Sequence, residues 1–223
     1  TMIGVASKPL SLTLAGDTNQ KMIKHSGFDS WERTFKTLGI TGQQVSPLRV
    51  GYRSTFEIMG FSLSLLGDLI DNKEFIATRH GPPVEYLQFT NQGQLIQSLS
   101  LNLTGLMNRE PMASVAVICP DQNSASGYFE LLKKLEVPDL RLIEDQEFPF
   151  SPGIDVVDVK QVKGLEFDYV ILLDVDADSY PNDSYSRYLL HIAASRAAHQ
   201  LWLMNDKEPS SVIPREMLSH ASV

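Results

Sequence analysis

Val115-Ala116-Val117-Ile118 is an unbroken apolar run, and Tyr169-Val170-Ile171-Leu172-Leu173-Asp174-Val175 nearly repeats it. A strand with one face in water alternates apolar and polar residues. A continuous apolar run instead marks a strand covered on both faces, the normal situation in a parallel sheet. Around these runs, helical and strand-like periods take turns. Strands are expected at 10–15, 84–89, 115–118, 140–143, 156–159, 169–175 and 201–204, and 45–50 is an edge or extended connection because it contains Pro47. Helices are expected at 31–38, 56–71 (capped by Ser54 or Thr55), 91–107, 124–135 and 185–198. That alternation predicts an α/β layered fold with a mainly parallel sheet.

Composition narrows the class. The 223 residues are 43% hydrophobic and 21% charged, which fits a globular chain and excludes a disordered tail or a collagenous repeat. Nineteen Lys and Arg stand against 27 Asp and Glu, a formal charge of −8, so binding to nucleic acid through bulk basic charge is excluded. The single cysteine, Cys119, lies in an apolar setting and reads as a core residue of a protein from a reducing compartment, the cytoplasm. No apolar run is long enough to span a membrane, and no signal-peptide pattern opens the chain. Asp174, Asp176, Asp178 and Asp183 follow an apolar strand; without the glycine and glutamate of a calcium loop they read as a solvated acidic loop, and no metal site is expected.

Four segments carry chemistry. Gly16-Asp17-Thr18-Asn19-Gln20 follows a strand, and Tyr52-Arg53-Ser54 precedes a helix. Lys160-Gln161-Val162-Lys163-Gly164-Leu165-Glu166-Phe167-Asp168 leads into the second apolar run, and Ser195-Arg196-Ala197 lies on an expected helix. Taken singly, each has a plain structural explanation: a turn, a surface pair, a glycine-permitted bend, an ordinary helical arginine.

In this order the four resemble the superfamily 1 helicases of the UvrD/Rep/PcrA type and their compact HelD-like relatives. GDxxQ is similar to motif III, YRS to motif IV, KGLEFD to motif V and SRA to motif VI. The resemblance implies a RecA-like (P-loop NTPase-like) lobe: an α/β fold, a mainly parallel sheet flanked by helices. It also implies roles. Arg53 and Arg196 would reach the γ-phosphate of ATP, since a guanidinium offers a planar fork of donors to a transferring phosphoryl group. Gln20 would link the phosphate site to DNA, Tyr52 would stack on adenine, and Glu166, beside Gly164, would sit near ribose and triphosphate.

Two departures from the family pattern stand out. Asp158 and Lys160 occupy the places of a threonine and a histidine that meet the DNA backbone, so Lys160 and Lys163 are left as the electrostatic DNA contacts. There is also no G-x-x-x-x-G-K-[ST] and no strand ending in Asp-Glu. The chain is therefore expected to be a C-terminal fragment without its own P-loop. Residues 1–45 would carry motif III and the linker from the first lobe, and 46–223 would form the second RecA-like (2A) lobe. The 105 residues from Arg53 to Asp158 are already filled by expected elements, so no large 2B insertion is expected.

The implied function is the C-terminal motor lobe of an ATP-dependent DNA helicase or translocase, inactive alone. Its cofactor would be ATP with Mg²⁺, held between lobes of the intact protein. Its partners would be single-stranded DNA and the missing N-terminal lobe, with no membrane. The alternative is a non-catalytic helicase-like module that binds a protein such as RNA polymerase or a nuclease subunit.

Overall fold

The computed structural model describes residues 14–16, 30–42, 44–46, 50–70, 75–149 and 151–218. Helix α1 (Trp31–Leu38) starts where Ser30 accepts the Arg33 N–H and ends at Gly39, whose φ of 68° a side chain would resist. β1 (Val50–Gly51) pairs in parallel with β2 (Ile76–Ala77). Between them α2 (Phe56–Leu66) is capped by Thr55. The main sheet contains β3 (Glu85–Gln88), β4 (Ser114–Cys119), β5 (Leu140–Leu142), β6 (Gly153–Asp158), β7 (Phe167–Leu173) and β8 (Ala197–Asn205). The linking helices are α3 (Gln92–Arg109), α4 (Gln122–Lys134), α5 (Ser184–Ala194) and the short α6 (Arg215–Leu218). Asn91, Asp121 and Asp183 each accept a first-turn N–H of the helix they precede.

The strand order is β3-β8-β7-β4-β6-β5, and every pairing is parallel. Alternate residues of each central strand face opposite layers. Ala116, Ile118, Val170, Leu172, Leu201 and Leu203 join Ile58, Leu65 and Leu190 under α2 and α5. Val115, Val117, Ile171 and Leu173 join Leu95, Leu99 and Leu132 under α3 and α4. The sheet is thus covered on both faces, and the uninterrupted apolar runs are explained. The expected RecA-like architecture is the observed one.

Several expectations need correction. The helix expected at 185–198 stops at Ala194, and Ala197 already pairs with Phe167 as β8 begins. Sheet pairing overrides the helix preference of the alanines there. The helix expected to reach residue 71 ends at Leu66, because Gly67 takes a φ of 56° and opens a 3₁₀ turn. The strand expected at 10–15 falls largely outside the described residues, and Leu14 to Gly16 has no regular structure.

The acidic loop is a solvated face only in part: Asp178 and Asp183 are exposed, whereas Asp174 and Asp176 are buried. Asp176 is 1% exposed, accepts the N–H groups of Asp178 and Ser179, and pairs with Lys207 Nζ at 3.2 Å. Asp174 accepts the buried Tyr128 hydroxyl at 2.6 Å, and burial pushes its carboxyl above the usual range. These carboxylates were placed by hydrogen bonds that spacing does not encode. Cys119, in contrast, is the expected core thiol, pushed well up by burial.

Leu95 and Leu101 lie on the same helix with opposite fates, 0% and 68% exposed. Leu95→Ala should cost about 2–5 kcal/mol of stability, as large-to-small core changes do. Leu101→Ala should stay within about 0.5 kcal/mol. Urea unfolding of the two variants checks the difference.

Candidate functional site

Six parallel strands all begin at one edge of the sheet and all end at the opposite edge. β7 and β8 are neighbours, so the residues just before Phe167 and Ala197 meet at the starting edge. The Tyr52-Arg53-Ser54 turn joins them there. The buried Ser54 hydroxyl donates to the Ala197 carbonyl at 2.6 Å. Arg53 Nε donates to Glu166 Oε2 at 2.6 Å, and the two side chains are 44% and 50% exposed. Tyr52 is 76% exposed. Gly164 takes a φ of 86° just ahead of Leu165 and Glu166, a bend that a side chain would strain.

Arg196 plays a different part from the one expected. It is 2% exposed, so it does not face solvent beside Arg53. Nε donates to the Ile192 carbonyl at 3.0 Å, Nη1 to the Leu165 carbonyl at 3.0 Å, and Nη2 to Ser195 Oγ at 2.9 Å. Its own carbonyl accepts the Phe167 N–H. Arg196 therefore pins the Leu165–Phe167 segment to the α5–β8 junction, and Arg53 meets the next residue, Glu166. The two guanidinium groups belong to one edge, joined through consecutive residues, but only Arg53 is open to an incoming anion.

The energetics separate them further. A half-exposed ion pair such as Arg53–Glu166 is worth only about 0–1 kcal/mol, so a phosphate can compete for the guanidinium. Truncating a buried hydrogen-bonding side chain leaves its partners unmet, at about 1–3 kcal/mol for each. Arg196→Ala would therefore damage the fold of this edge as well as remove a charge.

Sequence reasoning missed two residues behind Arg53. Arg79 Nη2 donates to the Arg53 carbonyl and, at 2.8 Å, to the Ala198 carbonyl. Glu57, in the first turn of α2, accepts the Gly81 N–H at 2.8 Å and contacts His80 Nδ1 at 2.9 Å. A Cβ at Gly81 would lie 2.5 Å from Thr55 Cγ2, so the close approach requires glycine. Only the break at Gly81-Pro82-Pro83 was legible, and it gave no sign of Arg79 or His80.

Of the nucleic-acid candidates, Lys160 lies toward the other edge, two residues past the end of β6, and Lys163 lies on the way back, three residues before Glu166. β6 ends at Asp158 and β7 begins at Phe167, so the intervening segment runs the height of the parallel sheet, anchored by the fully buried Val159 and Val162. Asp158 folds the turn by accepting the Lys160 N–H at 2.8 Å and Gln161 Nε2 at 2.6 Å. Gln161 in turn accepts the Gln146 N–H at 2.8 Å, which brings exposed Glu144, Asp145 and Glu147 alongside. Lys160 and Lys163 are exposed. The structure does not bring Lys160 together with Arg53. Gln20 lies outside the described residues.

Residues 153–204 match the family model of the UvrD-like helicase C-terminal domain, the part of the chain that holds KGLEFD and SRA. The chain is similar to the crystal structure of the C-terminal domain of a possible DNA helicase from Lactobacillus plantarum WCFS1. The two are 24% identical with a TM-score of 0.61 over 74% of this chain and 93% of that one, a likeness of fold. The UvsW helicase of bacteriophage T4 is 7% identical over 54% of this chain and 46% of its own, TM-score 0.41. A DEAD box protein from Methanococcus jannaschii is 15% identical over 60% and 41%, TM-score 0.44. At those scores the last two carry no weight. No curated protein matches the chain.

The Glu57 carboxyl is pulled down to about 2, chiefly by its hydrogen bond with His80, then by its own and the Gly81 backbone N–H. A carboxyl lowered on folding adds stability above its unfolded value, and that stability is lost as pH falls toward the folded one. Melting temperatures between pH 5 and pH 2 should therefore fall more steeply for the wild type than for Glu57→Gln. Parallel curves would exclude the pair as a stabilising contact.

Proposed function

We propose, for a chain whose residues 153–204 carry a UvrD-like helicase C-terminal domain, that it forms the second motor lobe of an ATP-dependent DNA helicase or translocase. Residues 46–223 would make up the lobe, and 1–45 would bring the motif III segment and linker from the first. The observation that most supports this reading is the edge where Tyr52, Arg53 and Glu166 gather beside the starts of β7 and β8. Arg53 and Glu166 are 113 positions apart in sequence, and the pair is held at 2.6 Å.

The donor set suits a nucleoside triphosphate. Arg53 offers a half-open guanidinium to the γ-phosphate, and Tyr52 offers an unobstructed ring face to the base. Glu166 has carboxylate oxygens for ribose hydroxyls once Arg53 turns away, and Gly164 lets the backbone bend close by. ATP with Mg²⁺ would lie between this lobe and an N-terminal one that supplies the P-loop and metal ligands. Arg196 acts from behind by fixing Glu166. It meets phosphate only if the Leu165 and Ile192 carbonyls release it. Gln20 would couple this site to DNA.

Single-stranded DNA is the proposed partner along the segment that leads from the end of β6 back to β7, through Lys160 and Lys163. The neighbouring carboxylates weaken any phosphate contact there, so the DNA affinity contributed by this lobe should be low and sensitive to salt. Among the described residues no helix is long and apolar enough to cross a membrane, which suits the cytoplasmic setting proposed.

The test is steady-state ATP hydrolysis by the intact protein, with and without single-stranded DNA. Arg53→Ala should lower turnover about 10³-fold, as loss of an arginine finger does. Tyr52→Ala should act mainly by raising KM for ATP. Replacing Lys160 and Lys163 together should reduce the salt slope of single-strand binding by about 1.4. Unchanged turnover in Arg53→Ala would overturn the motor reading and leave the protein-binding module.

A further inference from the structure

We infer that Arg79 is a positioning residue whose task is to seat Arg53 at the starting edge of the sheet. This rests on the reading of Arg53 as the phosphate-facing arginine. Arg79 comes 26 positions after Arg53 and precedes β3. Its guanidinium makes contacts on two elements. Nη2 is shared between the Arg53 carbonyl and the Ala198 carbonyl, the latter at 2.8 Å. Nη1 lies 3.3 Å from His199 Nδ1. Nε is buried and makes no hydrogen bond.

A buried donor left unmet is normally a loss. Here the side chain accepts it in order to reach the Tyr52–Ser54 turn and the first residues of β8 together. Among the described residues, the regular pairing beside that turn is the two-stranded β1–β2 ladder; the Phe56 N–H bonds the Arg79 carbonyl at 3.0 Å, and the Ser54–Ala197 hydrogen bond ties the turn to β8. Without the Arg79 side chain, the Arg53 carbonyl loses the donor that Nη2 supplies, and the arginine keeps its half-exposed pair with Glu166.

His199 completes the arrangement. For Arg79 to donate, Nδ1 of His199 must be the accepting nitrogen. Nε2 then carries the proton and faces Asp168 Oδ1 at 3.4 Å. Lysine at position 79 could bring its ammonium to the carbonyls but has no second nitrogen for His199.

Two measurements test this. In the full 223-residue chain, the Nε–H signal of Arg53, assigned by its loss in Arg53→Lys, should be resolved and shifted by its bond to Glu166 in the wild type. It should broaden or vanish in Arg79→Met while the backbone spectrum stays dispersed. Arg79→Lys should recover part of it. An unchanged Arg53 signal in Arg79→Met, or in Arg79→Lys if the methionine variant fails to fold, overturns the inference. In the intact protein, Arg79→Met should lower ATP turnover about tenfold to a hundredfold, the cost of a misplaced group, with little change in KM.

Combined with Arg53→Ala, Arg79→Met should add no further loss, because Arg79 acts through Arg53. An additive loss would make Arg79 merely structural. If Arg53→Ala itself leaves turnover intact, the motor reading fails, and the NMR result still decides whether Arg79 seats Arg53.

Discussion

Everything at the starting edge of the sheet is organised by one buried guanidinium. Arg196 donates to the carbonyls of Leu165 and Ile192 and receives the Phe167 N–H on its own carbonyl. Those bonds clamp the approach to β7 against the turn that opens β8. Glu166 can stand at the edge, where Arg53 finds it, because the residues on either side of it are held. Burying a charge is costly, and here the cost is met by main-chain acceptors that would otherwise be left at a helix end and an irregular loop.

Parallel strand direction then separates two kinds of chemistry. The starting edge carries Arg53, Arg79 and Arg196, arginines that touch carbonyls or a single carboxylate. The finishing edge carries the cap Asp121, the turn-forming Asp158, and the exposed Glu144, Asp145 and Glu147. The segment from Asp158 to Phe167 spans both, and its buried Val159 and Val162 make it a rigid strut between the edges.

The layered fold was legible because it depends on apolar periodicity. Val115–Ile118 and 169–175 announced strands covered on both faces, and the helices at 31–38, 91–107 and 124–135 appeared within a few residues of their expected limits. Misreadings occurred where tertiary pairing overruled local preference, as at Ala197 and Ala198, which look helical and extend a strand. The site was half legible. Motif order pointed to Tyr52, Arg53, Glu166 and Arg196, and these do share an edge. Which arginine is open and which is buried depends on carbonyls contributed by Leu165 and Ile192, and no residue type encodes that. Arg79 was invisible for the same reason: its partners are main-chain oxygens far away in sequence. Asp176 misled in the other direction, since a run of aspartates looks solvated until a lysine and two N–H groups are folded around one of them.

The most direct measurement is a crystal structure of the intact protein with a non-hydrolysable ATP analogue. The triphosphate should lie against the edge where β7 and β8 begin, with its terminal phosphate hydrogen-bonded to the Arg53 guanidinium and the Arg53–Glu166 pair opened. A nucleotide seated elsewhere, with that pair still closed, would contradict the assignment of this edge.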